Sequence, residues 1–403
     1  MYSTAEDPRG GSAAGHDSWR RWMSAGVLAG ILTLSGCATQ VNSSAPAAPI
    51  AASVATAAVP AAPAHDTAQS SAAELAPASA YCPADLRFPG FPERYQDDLR
   101  SFACILQQHY GLPAALVIPA LQSAHYDSRA VSLMSPPPPS SVPQAPLPWW
   151  RYRERFLSAQ RLDSGVRFWR EHRRILEDVA EKYGVPPPIL LGILNIETGF
   201  GSFMGNFPVL DANLSLSLAL KPRRAFFLAQ TAETLKLAEK LGRPVSALRG
   251  SPAGAMGMSQ FLASSYLKYG VVWNDPPGEG LPNLWQSVPD VLASTANFFR
   301  AHGWQPGQPV LVPALISRGS APETSTRPDY TLAQLARLGV YPERGRALLP
   351  ADTRVGLLRL EGRTGPHYYL AYPNFYAIMG YNPSVYYSAT VWAYAEALGR
   401  IRG

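Results

Sequence analysis

Apolar residues fill nearly every position from Ile189 to Ile196. A run that is apolar on almost every side predicts a helix buried inside a larger core. The prolines at 186–188 suit its first turn, where a missing N–H would be unbonded in any case. Glu197 ends the run, and Gly199 and Gly201 then stop the helix. Ahead of it, residues 166–183 set Val166, Trp169, Ile175, Val179 and Tyr183 among charges, which predicts an amphipathic helix leading straight into the buried one. Further helices are predicted over 95–110, 113–121, 225–241 and 288–301, with a polar turn at 123–128. Prolines at 136–139, 143, 146 and 148 predict an extended, polyproline-like crossing. From 310 to 370 the period shortens and 355–360 is strand-like, so a small β element is expected. Residues 390–401 close the chain as a helix. No internal repeat interrupts this order.

The chain has 403 residues, more than a typical single domain and enough for a large core. Its excess of proline and alanine is concentrated in residues 38–81, whose only charges are Asp66 and Glu74. Such a segment cannot bury enough surface to offset chain entropy, and a disordered tether is expected. Before it, Arg20-Arg21 precede an apolar stretch from Met23 to Leu34, too short to span a bilayer but suited to a signal peptide. Leu34-Ser35-Gly36-Cys37 resembles the bacterial lipobox, after which Cys37 becomes the lipidated first residue. Ala38 after it points, by the same resemblance, to the outer membrane. The expected organisation is a signal over 1–36, a lipidated tether over 37–83 and one globular body over 84–403. With Cys37 taken by lipid, Cys82 and Cys104 form an even remainder that reads as one disulfide in an exported protein; two unpaired thiols are the alternative. Net charge is +6, and residues 1–36 balance their own charges, so the body is mildly basic. That suits an anionic partner such as cell-wall polymer, membrane surface or nucleic acid. No basic run or nucleic-acid motif supports the last, and nucleic acid is not expected.

Glu197 is the candidate for chemistry. Ile193 lies one turn before it on the same face, so its carboxyl projects from an apolar surface. Desolvation there favours the neutral acid, which suits a general acid near neutral pH. A glutamate before a glycine is also commonly a solvated helix end, and the residues downstream decide between the two. They are Pro222-Arg223-Arg224, Gly254-Ala255-Met256-Gly257-Met258-Ser259-Gln260-Phe261, Asn283-Leu284-Trp285 and Tyr381-Asn382. Together with Glu197-Thr198 and Gly201 they follow the order and nearly the separations of one family. From about Tyr152 onward the chain resembles membrane-bound lytic transglycosylase B, which cleaves murein in the bacterial periplasm.

The resemblance implies a mainly α fold, a goose-type-lysozyme-like helical core with a helical extension and a small β element. It also implies breakage of the β-1,4 bond between N-acetylmuramic acid and N-acetylglucosamine without hydrolysis, leaving 1,6-anhydromuramoyl ends. Peptidoglycan glycan strands are then the partner, and the periplasmic face of the outer membrane is the expected location. Glu197 would be the catalytic residue, with Asp211 a buried structural partner. Ser251 matches a serine that orients the N-acetyl group, and Gln260 a substrate-binding glutamine. Arg223 and Arg224 are candidates for a peptide or lactyl carboxylate. Tyr152, Tyr381, Asn382 and Tyr387 match positions lining the cleft. Phe298 stands where the family usually has tyrosine, keeping the ring and losing the hydroxyl. The calcium loop that some members carry is degenerate here. Asp275 and Glu279 sit at ligand positions, but Pro277 offers no side-chain oxygen and Gln286 replaces the closing glutamate, although Asp290 can reach in. No metal and no other cofactor is expected. Two other readings stay open: a murein-binding lipoprotein without turnover, and a hydrolytic muramidase, which needs a second carboxylate to hold water.

Overall fold

The computed structural model describes residues 85–136, 147–275, 280–317, 322–343 and 349–402. The expected signal, the tether with Cys37 and Cys82, and most of the proline-rich crossing lie outside these residues. Three helices open the body: α1 (Gln96–Gln108), α2 (Ala114–Ser123) and α3 (Ser128–Met134). The first two match the apolar pattern. The third follows the expected polar turn, because Asp127 accepts a hydrogen bond from Ala130 N and so starts a helix there.

The central helices are α4 (Trp149–Glu154), α5 (Ala159–Glu171), α6 (Arg173–Tyr183) and α7 (Pro187–Thr198). They continue as α8 (Val209–Ala219), α9 (Arg224–Lys240), α10 (Ala263–Tyr269) and α11 (Val288–Ala301). The single helix expected over 166–183 is thus two, α5 and α6, divided at His172, where φ is −113° and ψ 25°. The apolar period runs on through the break, so the pattern alone did not show it. Leu99, Phe102 and Leu121 of the opening helices are buried against Leu210, Leu214 and Leu235 of α8 and α9. This is the helical extension laid on the core.

Among the described residues the β part has two sheets. The strands β1 (Phe207–Pro208) and β2 (Arg249–Gly250) form a short antiparallel pair. The larger sheet is built from β3 (Leu311–Ile316), β4 (Ser325–Thr331), β5 (Val340–Pro342), β6 (Arg354–Gly362) and β7 (Gly365–Ala371). Its order is β4-β6-β7-β3-β5, and β6 and β7 form a hairpin closed at Gly362 and Gly365. The helix α12 (Leu332–Arg337) sits between β4 and β5, and α13 (Pro373–Tyr381) and α14 (Val385–Arg402) end the chain.

The helix α14 packs along α7, and Gly192 makes that possible. A Cβ at Gly192 would lie 3.0 Å from Val391 O, tighter than a helix pair tolerates without moving apart. The C-terminal helix is therefore brought directly against the segment that ends in Glu197.

Candidate active site

The helix α7 ends as its glycines require. Gly199 adopts the left-handed conformation, φ 55°, and its N–H donates to Asn195 O at 3.1 Å while Phe200 N donates to Leu194 O at 3.0 Å. Phe200 follows with φ 61°, a conformation costly for a residue with a Cβ, and its ring is held against Phe168 at 5.1 Å. The turn leaves Glu197 inside the protein, only 7% exposed. Burial pushes its carboxyl up to about 7, partly offset by one hydrogen bond, from the Tyr387 hydroxyl to Oε1 at 2.6 Å. Among the described residues, no second carboxylate and no cation adds to that balance.

Three tyrosines from three helices enclose the acid. Tyr387 comes from α14, Tyr381 from the end of α13 and Tyr152 from α4. The phenol of each is pushed up by burial first and by the nearby Glu197 second. Tyr381 donates to Ser259 O. The Tyr152 hydroxyl, on a side chain 4% exposed, has no hydrogen-bond partner among the described residues. Asn382 caps α13, its carbonyl accepting from Ser384 N at 2.7 Å. Phe298, 5% exposed, lies beneath these rings, edge-on to Tyr381 at 4.8 Å and stacked on His302 at 3.8 Å.

A glycine-rich loop is tied to the acid's helix by Thr198, whose Oγ1 donates to Met258 O at 2.9 Å and accepts from Gly201 N at 3.0 Å. In this loop Ser251 is 1% exposed and organises a tight turn, its Oγ accepting from Ala255 N at 3.1 Å. Gln260 has φ 52°, and its Nε2 donates to Met204 O at 3.1 Å and Gly257 O at 2.9 Å. Those two bonds use both amide hydrogens, so Oε1 is what remains to meet a ligand.

The two arginines of the pair have different partners. Arg224 forks onto Asp98 of α1 with two bonds of 3.1 Å, which joins the extension to the core. The Arg223 guanidinium lies over Phe226 and Phe227 at 4.6 and 4.9 Å. Its Nη1 is buried without a partner, and burial pushes the group down to about 10. Asp211 accepts from His125 N at 3.2 Å, a link between α8 and the extension. Glu233 pairs with Lys236.

A buried acid at a helix end, a tyrosine cage and a glycine-rich loop tied to that helix form a lysozyme-like site. The transglycosylase SLT domain family matches residues 94–396. The chain belongs to this family. It is 39% identical over 258 residues to the membrane-bound lytic murein transglycosylase B of Escherichia coli strain K12, covering 63% of this chain and 68% of that protein. Lytic transglycosylase SltB1 from Pseudomonas aeruginosa superposes with a TM-score of 0.69 at 32% identity, over 76% of this chain and 98% of that one. SltB3 of the same organism, in complex with NAG-anhNAM-pentapeptide, gives 0.63 at 31% identity, over 76% of this chain and 79% of that one.

The transglycosylase is thus a peptidoglycan-cleaving lyase with the mainly helical, lysozyme-like fold that its motifs implied. Its degenerate calcium loop falls partly on residues 276–279, outside the described residues. Asp290, the carboxylate nearest in sequence, already accepts from Trp273 N and Asn283 N, each at 2.9 Å. Each Asp290 oxygen thus holds one backbone N–H at the neck of the loop. Cys104 is disulfide-bonded, with its partner outside the described residues. Among those residues no helix of the transglycosylase is long and apolar enough to cross a membrane.

Sequence reasoning named Thr198 within a motif but gave it no role. Asn195 likewise stood in the buried run without a role, and Arg161 was passed over. Asn195 carried a signal, since a polar side chain in an apolar helix needs a buried partner. Arg161 carried none, standing among the ordinary charges of an amphipathic helix.

Proposed function

We propose that the transglycosylase cleaves the MurNAc–GlcNAc bond of peptidoglycan with Glu197 as the single protein acid and base. The observation that carries this reading is the setting of Glu197: it is buried and poised near neutrality, with Tyr387 its one hydrogen-bond partner among the described residues. Hydrolysis by two carboxylates needs a second one, about 5–5.5 Å away as nucleophile or about 6.5–9.5 Å away to hold the water. None contributes to the electrostatics of Glu197 among the described residues, which favours a reaction that takes its second group from the substrate.

In that reaction Tyr387 marks Oε1 as the accepting oxygen, and the transferable proton sits on Oε2. Glu197 gives this proton to the glycosidic oxygen, and the C1–O bond breaks with the electron pair leaving on GlcNAc. The muramoyl N-acetyl carbonyl supports the cationic C1, oriented by Ser251. The Glu197 carboxylate then takes the proton of the C6 hydroxyl as its oxygen bonds to C1, closing the 1,6-anhydro ring. The nucleophile is already part of the substrate, which has the entropic advantage of intramolecular attack. Gln260 Oε1 and the Tyr152 hydroxyl are free to meet sugar groups, and the buried Arg223 Nη1 is suited to a peptide or lactyl carboxylate. Arg224, forked onto Asp98, joins the helical extension to the core. End-group analysis of murein digested by the purified protein tests the reading. Anhydromuramoyl ends are expected; reducing ends would mean a muramidase, and no release a binding protein.

The membrane-bound relative supports an envelope location. We further propose that Cys37 is the lipidated N-terminus after removal of 1–36, that 38–83 tethers the body to the outer membrane, and that Cys82 is the partner of Cys104. Mass spectrometry of the exported, non-reduced protein should find diacylglycerol on Cys37 and the Cys82 and Cys104 peptides joined. A Cys37→Ala protein should be released to the soluble periplasm; full retention in outer membranes would refute the anchor.

A further inference from the structure

Three elements of the site, α7, the end of α4 and α14, meet a second time at Arg161 in the first turn of α5. Its Nη1 donates to both acceptors of Asn195, the backbone carbonyl at 2.9 Å and Oδ1 at 3.0 Å. Asn195 stands two residues before Glu197 and is wholly buried. Its Nδ2 in turn donates to Phe156 O at 3.0 Å, just beyond the end of α4. The Arg161 guanidinium lies 5.4 Å from the Phe156 ring centre. The backbone carbonyl of Arg161 accepts from the Tyr394 hydroxyl on α14 at 2.9 Å. Gly165, one turn later, leaves room for that tyrosine, since a Cβ there would run into its hydroxyl. The cation also lies at the C-terminal turn of α7, the negative end of the helix dipole, where Asn195 O accepts from it as well as from Gly199 N.

Each of these contacts reaches an element that supplies a group to the acid: α7 carries Glu197, α4 carries Tyr152 and α14 carries Tyr387. We propose that Arg161 is a positioning residue for the reaction, holding Glu197 in register with Tyr387 and Tyr152 through Asn195, Tyr394 and Phe156. It acts through these neighbours. Its action is to fix the relative height of three helices, so that the 2.6 Å bond from Tyr387 to Glu197 is made. The inference rests on the reading of Glu197 as the acid.

The test uses the full chain and peptidoglycan sacculi, with Arg161→Met, Arg161→Lys and Tyr394→Phe. Misplacing a reacting group by about 1 Å can cost about 10²-fold, so Arg161→Met should lower kcat by about 10–10²-fold with KM nearly unchanged. The groups facing Glu197 are Tyr152, Tyr381 and Tyr387, and Tyr387 is the one that holds its carboxyl down. Loosening the Tyr387 bond should therefore move the basic limb of the pH–rate profile to higher pH. Arg161→Lys keeps one donor and should recover part of both effects. Tyr394→Phe removes one bond without removing a charge and should move both in the same direction, by less. A folded Arg161→Met with wild-type kcat and an unmoved limb overturns the proposal, as does a change in melting temperature alone. Should Arg161→Met not fold, an unmoved limb in both other variants overturns it equally. Full activity in Glu197→Gln would instead remove the acid itself, a failure distinct from that of the clamp.

Discussion

Glu197→Gln is expected to lower cleavage of murein by about 10²–10⁴-fold, toward the upper end because one group performs both proton transfers. Amide and acid have nearly equal volume, and the Tyr387 hydroxyl can still donate to the amide oxygen, so fold and murein binding should persist. The same substitution should stabilise the protein above neutrality. The acid is raised from 4.5 to about 7 by burial, so between those values the folded chain holds a proton that the unfolded chain has released. Folding is then opposed increasingly as pH rises, and the opposition levels off once the folded group also ionises. Its full size is about 3 kcal/mol, from 1.36 kcal/mol for each pH unit between the two values. Chemical denaturation at pH 4 and pH 8 checks the sign: equal stability at pH 4, and the glutamine variant more stable at pH 8. Near-normal release of anhydromuropeptides by Glu197→Gln would place the acid elsewhere.

Tyr387→Phe should be the next most damaging change at the site. The hydroxyl donates to Oε1 more strongly as Glu197 becomes anionic, so it stabilises the state reached when the proton has left. A hydrogen bond to a charged group contributes about 1.5–3 kcal/mol, and its loss should lower kcat by about 10–10²-fold. The pH dependence carries the diagnostic sign. Glu197 must begin protonated, so activity falls as pH rises through its titration near 7. Without the Tyr387 bond the neutral acid persists further, and the falling limb should move to higher pH. A lower kcat with an unmoved limb would mean that Tyr387 acts on the sugar and not on the acid.

The place of Glu197 at the end of a buried helix was legible before any coordinates because its causes are local. An apolar run, prolines at one end and glycines at the other specify a buried helix that stops at a carboxylate. The helices over 225–241 and 288–301 were legible for the same reason, since amphipathic periodicity records which face meets a core. Periodicity does not record direction, which is why the break at His172 was invisible. Motif order likewise gave the family, but assigned roles by position alone. Arg224 illustrates the cost: a free guanidinium and one held by Asp98 read the same in a sequence, because Asp98 lies far away along the chain. Phe298 and Ser251 were placed by motif, whereas the burial of one beneath Tyr381 and the turn built by the other follow from packing. The sequence by itself determined that a lone acid would sit at the end of an apolar helix. Only the tertiary structure decided its state, because desolvation and the Tyr387 bond come from a helix nearly two hundred residues later that Gly192 allows to close against it.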